Sequence, residues 1–214
     1  MEDKVIKLGG KKKLLMRHIS KAKEYVQGTT FMEVDMQHVK ECRKTVKASY
    51  TSYIVHATAQ ALKEAPLLNT AFVEEQLMQR GNINLGVAVD VDGQLIVPVI
   101  KNADQLAVDE IDKKIKELKA KAEENKLTME DISDGTFTVT NSGVFGSSFF
   151  TPIISHPQSA ILGIAGIIER PVVRDGEIVI RPICTLCLSY DHRIIEGSVA
   201  VKFLASVRDL LQGS

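Results

Sequence analysis

Two Asp-Gly dipeptides, each set between runs of β-forming residues, limit the folds open to this chain most strongly. Asp92-Gly93 separates residues 86–89 from 95–99, and Asp175-Gly176 separates 172–174 from 177–180. An Asp-Gly pair in this position is a strong hairpin signal, because the tight turn needs residues that accept positive φ. The sequence therefore predicts a sheet in which neighbouring strands run antiparallel.

Apolar periodicity predicts the other elements. Helical spacing predicts helices over 11–27, 37–46, 52–65, 109–125 and 199–211, and β-forming runs predict strands over 29–36, 69–74, 83–90, 137–141, 160–168 and 179–190. Hairpins outnumber the strand–helix–strand alternations of a doubly wound fold. We expect one two-layer α/β domain over residues 11–214, with a mixed, antiparallel-rich sheet packed with helices, preceded by an arm over 1–10.

Charge and hydropathy exclude several classes of partner. Lys plus Arg and Asp plus Glu both total 27, and phosphate binding normally shows as a basic excess, so nucleic acid is not an expected partner. No apolar run approaches the ~20 residues that span a bilayer, and the N-terminus lacks a signal-peptide core. We therefore expect no membrane partner and a cytoplasmic location, or the mitochondrial matrix in a eukaryote.

The cysteines do not predict a metal site or a disulfide framework. Cys184 and Cys187 lie three apart in a predicted strand, where their side chains face opposite sides of the sheet. Cys42 is the third cysteine, and no second closely spaced ligand pair exists, so buried thiols and no metal are expected. His56, on the apolar helix 52–65, is interpreted as a core histidine rather than a ligand.

The candidate catalytic residue is His192. It follows the predicted strand 179–190 and precedes the predicted helix 199–211, with Glu196 four residues on. A sheet on one side and a helix on the other would hold a general base in fixed geometry. The alternative is a polar turn whose histidine only caps a helix. A second stretch, 142–146, has two glycines that permit either close approach of a ligand or a flexible turn.

Several stretches together identify a family. They read Phe-Thr-Val-Thr-Asn-Ser-Gly-Val-Phe-Gly at 137–146, Thr-Pro-Ile-Ile at 151–154, Pro-Gln-Ser-Ala-Ile-Leu-Gly at 157–163 and Leu-Ser-Tyr-Asp-His-Arg-Ile-Ile-Glu-Gly at 188–197. With these, the chain resembles the catalytic domain of the acyltransferase components of 2-oxo acid dehydrogenase complexes, which is related in fold to chloramphenicol acetyltransferase. The start of the chain through Arg17 is also similar, so the resemblance covers essentially the whole chain.

The resemblance implies acyl transfer between a dihydrolipoyl thioester, carried by a lipoyl domain, and the thiol of coenzyme A. His192 would take the thiol proton, since imidazole is a reasonable acceptor from a hydrogen-bonded thiol. The Thr140 hydroxyl would stabilise the oxyanion, a contribution typically worth about 3–4 kcal/mol. Ser142 and Gly143 would lie near the coenzyme A channel. The family forms trimers with this channel between subunits, so His192 and Thr140 would come from different chains.

The chain departs from the family pattern at Glu196, where the motif has aspartate. The extra methylene moves the carboxylate about 1.5 Å, which could alter its pairing with Arg17, and a ~1 Å displacement can cost on the order of 100-fold in rate. A catalytically impaired trimeric scaffold is therefore one alternative. Because no lipoyl domain is seen, a stand-alone acyltransferase with a small-molecule acceptor is another. The end of the chain, without the family's apolar tail, predicts a trimer that builds no cage.

The acyl group stays open between succinyl and acetyl. Residues 140–147 are similar to the succinyl-transferring branch, and 168–177 also resemble acetyl-transferring relatives. Succinyl-type members often carry histidine where this chain has Ala165.

Overall fold

The computed structural model describes residues 9–91 and 93–214, without the side chains of Lys11 and Lys12. The expected arm over 1–10 lies almost wholly outside the described residues. The helices are α1 Gly10–Ser20, α2 Gln37–Cys42, α3 Tyr50–Glu64, α4 Val108–Glu123, α5 Met129–Ile132 and α6 Gly197–Gln212. The strands are β1 Gln27–Asp35, β2 Thr70–Val73, β3 Gln76–Gln79, β4 Leu85–Val87, β5 Val89–Val91, β6 Gln94–Ile96, β7 Val99–Ile100, β8 Phe137–Asn141, β9 Ala160–Arg174 and β10 Glu177–Asp191.

The main sheet has six strands in the order β1-β10-β9-β8-β4-β7. β8 runs parallel to both β4 and β9, and the other three pairings are antiparallel. Two small hairpins, β2-β3 and β5-β6, lie outside it. This confirms the predicted mixed, antiparallel-rich α/β fold.

The longest hairpin joins β9 to β10 at the second Asp-Gly pair. Glu177 pairs with Arg174, while Asp175 and Gly176 have φ of 51° and 82°. Two positive φ values match a type I′ turn, whose twist suits the flanking strands. The first Asp-Gly pair joins β5 to β6, with Val91 opposite Gln94; Asp92 itself lies outside the described residues.

Helices α3 and α6 cover one face of the sheet. The core includes fully buried residues of α3 and α6, such as Ile54, Leu62 and Phe203, packed with Leu162 of β9 and Leu186 of β10. The N-terminus of α3 is fixed by polar contacts to α4. The Ser49 side chain accepts from the Ser52 N–H, while the Ser49 N–H and the Ser52 hydroxyl donate to Asp112 Oδ1. These contacts satisfy N–H groups that a helix start leaves unpaired.

Two helix predictions were wrong at their ends. The helix predicted over 11–27 ends at Ser20, a 3₁₀ turn follows at Lys21–Glu24, and Val26 is 60% exposed. Its periodicity is overridden because Gln27 onward pairs with β10, and Gly28 lies inside β1 rather than at a helix stop. α2 was expected to run to 46 and face solvent, but it ends at Cys42 and buries Val39.

The histidine and cysteine interpretations have different outcomes. Cys184 and Cys187 are fully buried free thiols, as expected, and burial, with the neighbouring Cys187 thiol, raises the pKa of Cys184 to about 12. His56 is only partly buried and makes no side-chain hydrogen bond to the described residues, so it is not a fully buried core histidine; burial lowers its pKa. In the described part of the chain, no helix is long and apolar enough to cross a membrane.

Candidate active site

A cavity of about 800 Å³ lies on the sheet face opposite the one that packs against α3 and α6. Its walls come from α1, from β4 to β8 and from residues 150–158. Thr138 and Thr140 line it, and they alternate along β8 with Phe137 and Val139, which belong to the helix-covered core. Strand alternation therefore presents two threonine hydroxyls to the cavity and two apolar side chains to the core.

Thr140 is the residue predicted to stabilise an oxyanion. It is partly buried, it pairs with Gly163 of β9, and its hydroxyl has no hydrogen-bond partner among the described residues. Thr138, in contrast, donates to Gln158 Oε1 over 2.7 Å. Of these two threonines, Thr140 is the one whose hydroxyl remains available to a ligand.

In the turn at 142–146, packing against β9 explains why position 143 is a glycine. Asn141 Oδ1 accepts from the Gly143 N–H over 2.8 Å, and a Cβ on Gly143 would collide with the Ala165 carbonyl. Close packing of the turn on β9 thus requires Gly143, and its predicted position near a coenzyme A channel stays a prediction. The Ser142 Oγ is buried without a hydrogen-bond partner in the described structure. Ser142 follows Thr140 by two residues, and such an unpaired buried hydroxyl is uncommon in folded proteins.

His192 lies on the turn between β10 and α6. Its side chain is exposed, its backbone N–H donates to the Val26 carbonyl over 2.8 Å, and its ring centroid is 5.6 Å from that of Tyr190. The sheet and α6 hold the turn from both sides, as predicted. The imidazole therefore projects from a fixed backbone toward solvent in the single chain.

Asp191 and Arg193, on either side of His192, form an ion pair that sequence reasoning missed. Asp191 is fully buried and accepts a forked pair of bonds from Arg193, Nε to Oδ1 over 3.0 Å and Nη2 to Oδ2 over 2.6 Å. Aspartate is almost never fully buried unless it is paired. The available signal was the Asp-x-Arg spacing at the end of an apolar strand, which a solvated turn would show equally well.

Glu196 and Arg17 do not meet within one chain. Glu196 is the N-cap residue of α6, is exposed, and makes no side-chain cap hydrogen bond. Arg17, on α1, is also exposed, and the salt bridges among described residues include no Arg17–Glu196 pair. The predicted pairing is absent from the isolated chain.

Thr140 and His192 lie far apart in the sheet. Thr140 pairs with Gly163, which pairs with Cys187, and His192 is five residues beyond Cys187. At about 3.3 Å per residue and about 4.8 Å per strand spacing, the two residues are roughly 20 Å apart. One chain therefore holds these two side chains at separate places.

A second polar wall of the cavity contains two histidines. His18 Nε2 lies 3.2 Å from Ser155 Oγ, and His156 Nδ1 lies 3.3 Å from the Tyr25 hydroxyl, which also donates to the Gln158 carbonyl over 3.1 Å. Burial, followed by the charges of Lys21 and His18, lowers the pKa of His156. Burial and the Asp191 charge raise the pKa of Tyr25 to about 12, so Tyr25 remains a neutral donor. In the described ranges, no cluster of three or more histidine, cysteine or acidic side chains could hold a metal.

Comparison with solved structures defines the class of fold. Chloramphenicol acetyltransferase, at 15% identity, superimposes with a TM-score of 0.62 over 97% of this chain and 99% of that one, which shows the fold alone. Two structures are much more similar. A probable dihydrolipoamide acetyltransferase from Listeria monocytogenes has a TM-score of 0.95 at 38% identity, covering 99% of this chain and 95% of the other.

The second describes the role of a serine, a histidine and an asparagine in the catalytic mechanism of Azotobacter vinelandii dihydrolipoamide acetyltransferase. Its TM-score is 0.92 at 29% identity, with coverage of 98% of this chain and 91% of the other. The structural class is thus the chloramphenicol acetyltransferase-like fold.

The sequence comparison defines the family. The model for the 2-oxoacid dehydrogenases acyltransferase (catalytic domain) matches residues 1–214, and the chain belongs to this family of acyltransferases. A curated relative is the dihydrolipoyllysine-residue succinyltransferase component of the Cupriavidus necator 2-oxoglutarate dehydrogenase complex. It is 44% identical over 194 residues, which is 86% of this chain and 47% of that protein. The chain spans about half the length of the curated relatives it matches.

Proposed function

We propose that this chain transfers an acyl group between a dihydrolipoyl thioester and coenzyme A. The observation that carries the proposal is the spacing of Thr140 and His192 along the chain. In the Azotobacter structure the named serine and histidine lie 52 positions apart, and the asparagine follows the histidine by four. Thr140 and His192 are also 52 apart, and Glu196 follows by four. A hydroxyl on the cavity wall and an exposed imidazole therefore occupy matching positions.

The proposed reaction assigns one role to His192 and another to Thr140. His192 accepts the proton of the attacking thiol, and the thiolate adds to the acyl carbonyl. The oxyanion that develops accepts a hydrogen bond from the Thr140 hydroxyl, which has no partner among the described residues. The tetrahedral adduct then collapses, the bond from the carbonyl carbon to the leaving sulfur breaks, and the protonated His192 returns its proton to that sulfur. The buried, unpaired Ser142 hydroxyl beside Thr140 supports a role in binding the coenzyme A thiol end.

Assembly completes the site in this proposal. Because Thr140 and His192 are roughly 20 Å apart in one chain, the two residues act on one substrate only if they come from different subunits. A trimer in which each chain gives His192 to one channel and Thr140 to the next satisfies this requirement. The lipoyl group is then delivered by a lipoyl domain, and the location is the cytoplasm, or the mitochondrial matrix in a eukaryote.

Succinyl is the acyl group we favour. The curated relatives at 42–44% identity are succinyltransferase components, including a mitochondrial one from Saccharomyces cerevisiae. Acetyl is the second candidate, since the Listeria structure is described as a probable acetyltransferase. Glu196 does not argue for an inactive scaffold, because the Azotobacter acetyltransferase has an asparagine at the same spacing.

The test is an acyl-exchange assay on the full chain. Free dihydrolipoamide is incubated with succinyl-, acetyl- or branched-chain acyl-CoA, and released coenzyme A and acyl-dihydrolipoamide are quantified. We expect turnover that is highest with succinyl-CoA, lost in His192→Ala, and lowered about 100- to 1,000-fold in Thr140→Ala. His38→Ala, an exposed histidine outside the cavity, is the matched control and should behave as wild type. Absence of turnover with every donor, or full activity of His192→Ala, would contradict the proposal.

A further inference from the structure

The turn that carries His192 has every backbone N–H in use. The His192 N–H donates to the Val26 carbonyl, and the Arg193 N–H donates to Asp191 Oδ1 over 3.1 Å. The Ile194 and Ile195 N–H groups donate to the Asp191 carbonyl over 3.0 and 2.9 Å. Asp191 therefore accepts three of these four bonds, two through its backbone and one through its side chain. The torsions of the His192 side chain remain the main freedom of the turn.

The Asp191 carboxylate can accept hydrogen bonds while buried in this turn because Arg193 neutralises its charge. Its side chain has 0% exposure, and an unpaired buried carboxylate would shift toward the neutral form or move to reach water. Arg193 supplies two nearly parallel N–H bonds, the geometry in which guanidinium and carboxylate interact most strongly. Without Arg193, Asp191 could not remain both charged and buried at the strand end.

Arg193 is itself held on an aromatic platform. Its guanidinium carbon lies 5.3 Å from the Phe72 ring centroid and 5.8 Å from that of Tyr25. The Tyr25 ring is anchored in turn, because its hydroxyl donates to the Gln158 carbonyl. Two aromatic rings and the Asp191 carboxylate thus hold the guanidinium in place, although 39% of the Arg193 side chain is exposed.

We propose that Asp191 and Arg193 are positioning residues for the His192 base. The inference rests on the proposed function of His192, and it assigns to the pair the placement of the His192 backbone, from which the imidazole reaches the thiol, rather than contact with substrate. Removal of the Arg193 guanidinium frees the Asp191 carboxylate, which also accepts the bond from the backbone N–H of residue 193, and so loosens the turn. A displacement near 1 Å at a reacting group can lower the rate about 100-fold.

The test removes the guanidinium and then adds it back. Arg193→Ala should lower kcat about 10- to 100-fold while KM for coenzyme A changes less than about threefold, because substrate contacts remain. Ethylguanidinium should restore kcat saturably, since the Arg193 position is open to solvent. Arg193→Lys, which keeps the charge but cannot form a fork, should also lose kcat.

A matched control is available on α6. Arg208 also donates to a neighbouring aspartate, Nε to Asp209 Oδ1 over 2.8 Å, and its side chain is 37% exposed, but it lies away from His192. Arg208→Ala should keep wild-type kcat and show no response to ethylguanidinium. A role in general stability would lower the melting temperature of Arg193→Ala without rescue of turnover by the small guanidinium.

The outcomes distinguish failure of the positioning role of Asp191 and Arg193 from failure of the proposed function. Wild-type kcat in both Arg193→Ala and Arg193→Lys, in an enzyme that His192→Ala inactivates, overturns the positioning role alone. Loss of kcat in Arg193→Ala with no rescue at any ethylguanidinium concentration also overturns it. Full activity of His192→Ala overturns the proposed function, and the positioning role with it.

Discussion

Thr140 and His192 lie too far apart in one chain to act on one substrate molecule, so two inactive variants should restore activity when their chains are mixed. Along the sheet, Thr140 is level with Cys187, and His192 is five residues further on in β10 and its turn. The resulting separation of roughly 20 Å compares with the ~3 Å over which a base or an oxyanion donor works. No side-chain rotation closes such a gap.

The size of the recovery follows from how the chains combine. If each site takes His192 from one subunit and Thr140 from the next, a working site needs a Thr140→Ala chain as histidine donor and a His192→Ala chain as threonine donor. A trimer that holds both kinds of chain has one junction of three at which both conditions are met, so about one site in three is intact. Since Thr140→Ala alone should keep about 1% of activity or less, mixing should raise turnover at least about 30-fold.

The assay is co-expression of the two variants with different affinity tags, purification through both tags, and acyl exchange per subunit. Each variant purified alone supplies the background. Turnover in the mixed assembly that does not exceed the two backgrounds would refute the shared site. A recovery near the full wild-type rate would equally contradict random assembly of the two kinds of chain.

Three further perturbations test other parts of the molecule. Glu196→Asp should change kcat less than about threefold, because the Glu196 carboxylate makes no cap bond; a gain of 100-fold in acyl exchange would instead support an impaired site. Burial opposes ionisation of Asp112, but bonds from Lys116, Ser49 and Ser52 outweigh it and lower its pKa to about 2. Its roughly 2 kcal/mol of stability is therefore present above about pH 4 and is lost as pH falls toward 2, so Asp112→Asn should flatten urea-unfolding stability over this range. Phe203→Ala, at a fully buried ring 5.9 Å from Phe137, should cost about 3–5 kcal/mol in the same unfolding experiment.

The elements that could be predicted from sequence are those whose cause is local. The Asp175-Gly176 hairpin was correct because two residues specify its turn, and Phe137–Asn141 matched β8 at both ends. The end of α1 was wrong because the apolar spacing continues to Val26. What stops the helix is pairing of β1 with β10, more than 150 residues away in the chain. The parallel pairings of β8 were equally invisible, since no short-range signal specifies them.

The site shows the same division between local and distant causes. His192 could be singled out from the strand–turn–helix pattern, and Thr140 gained a role only through the resemblance to a family. Asp191 was missed because its burial depends on Arg193, Tyr25 and Phe72, which meet only in the folded chain. The packing reason for Gly143 could not be predicted, because the Ala165 carbonyl that excludes a side chain lies on another strand.

The burial of the β10 cysteines has a consequence for the proposed thioester chemistry. Cys187 lies on the same line across the sheet as Thr140, and an exposed thiolate there could itself be acylated. Burial raises the pKa of Cys187, and burial with the neighbouring Cys187 thiol raises that of Cys184 to about 12, so both remain thiols at pH 7. Cys187, on the same line across the sheet as Thr140, is thereby kept from competing with the substrate thiol. In the proposed reaction, an acyl group near Thr140 therefore meets the thiol that arrives with the substrate.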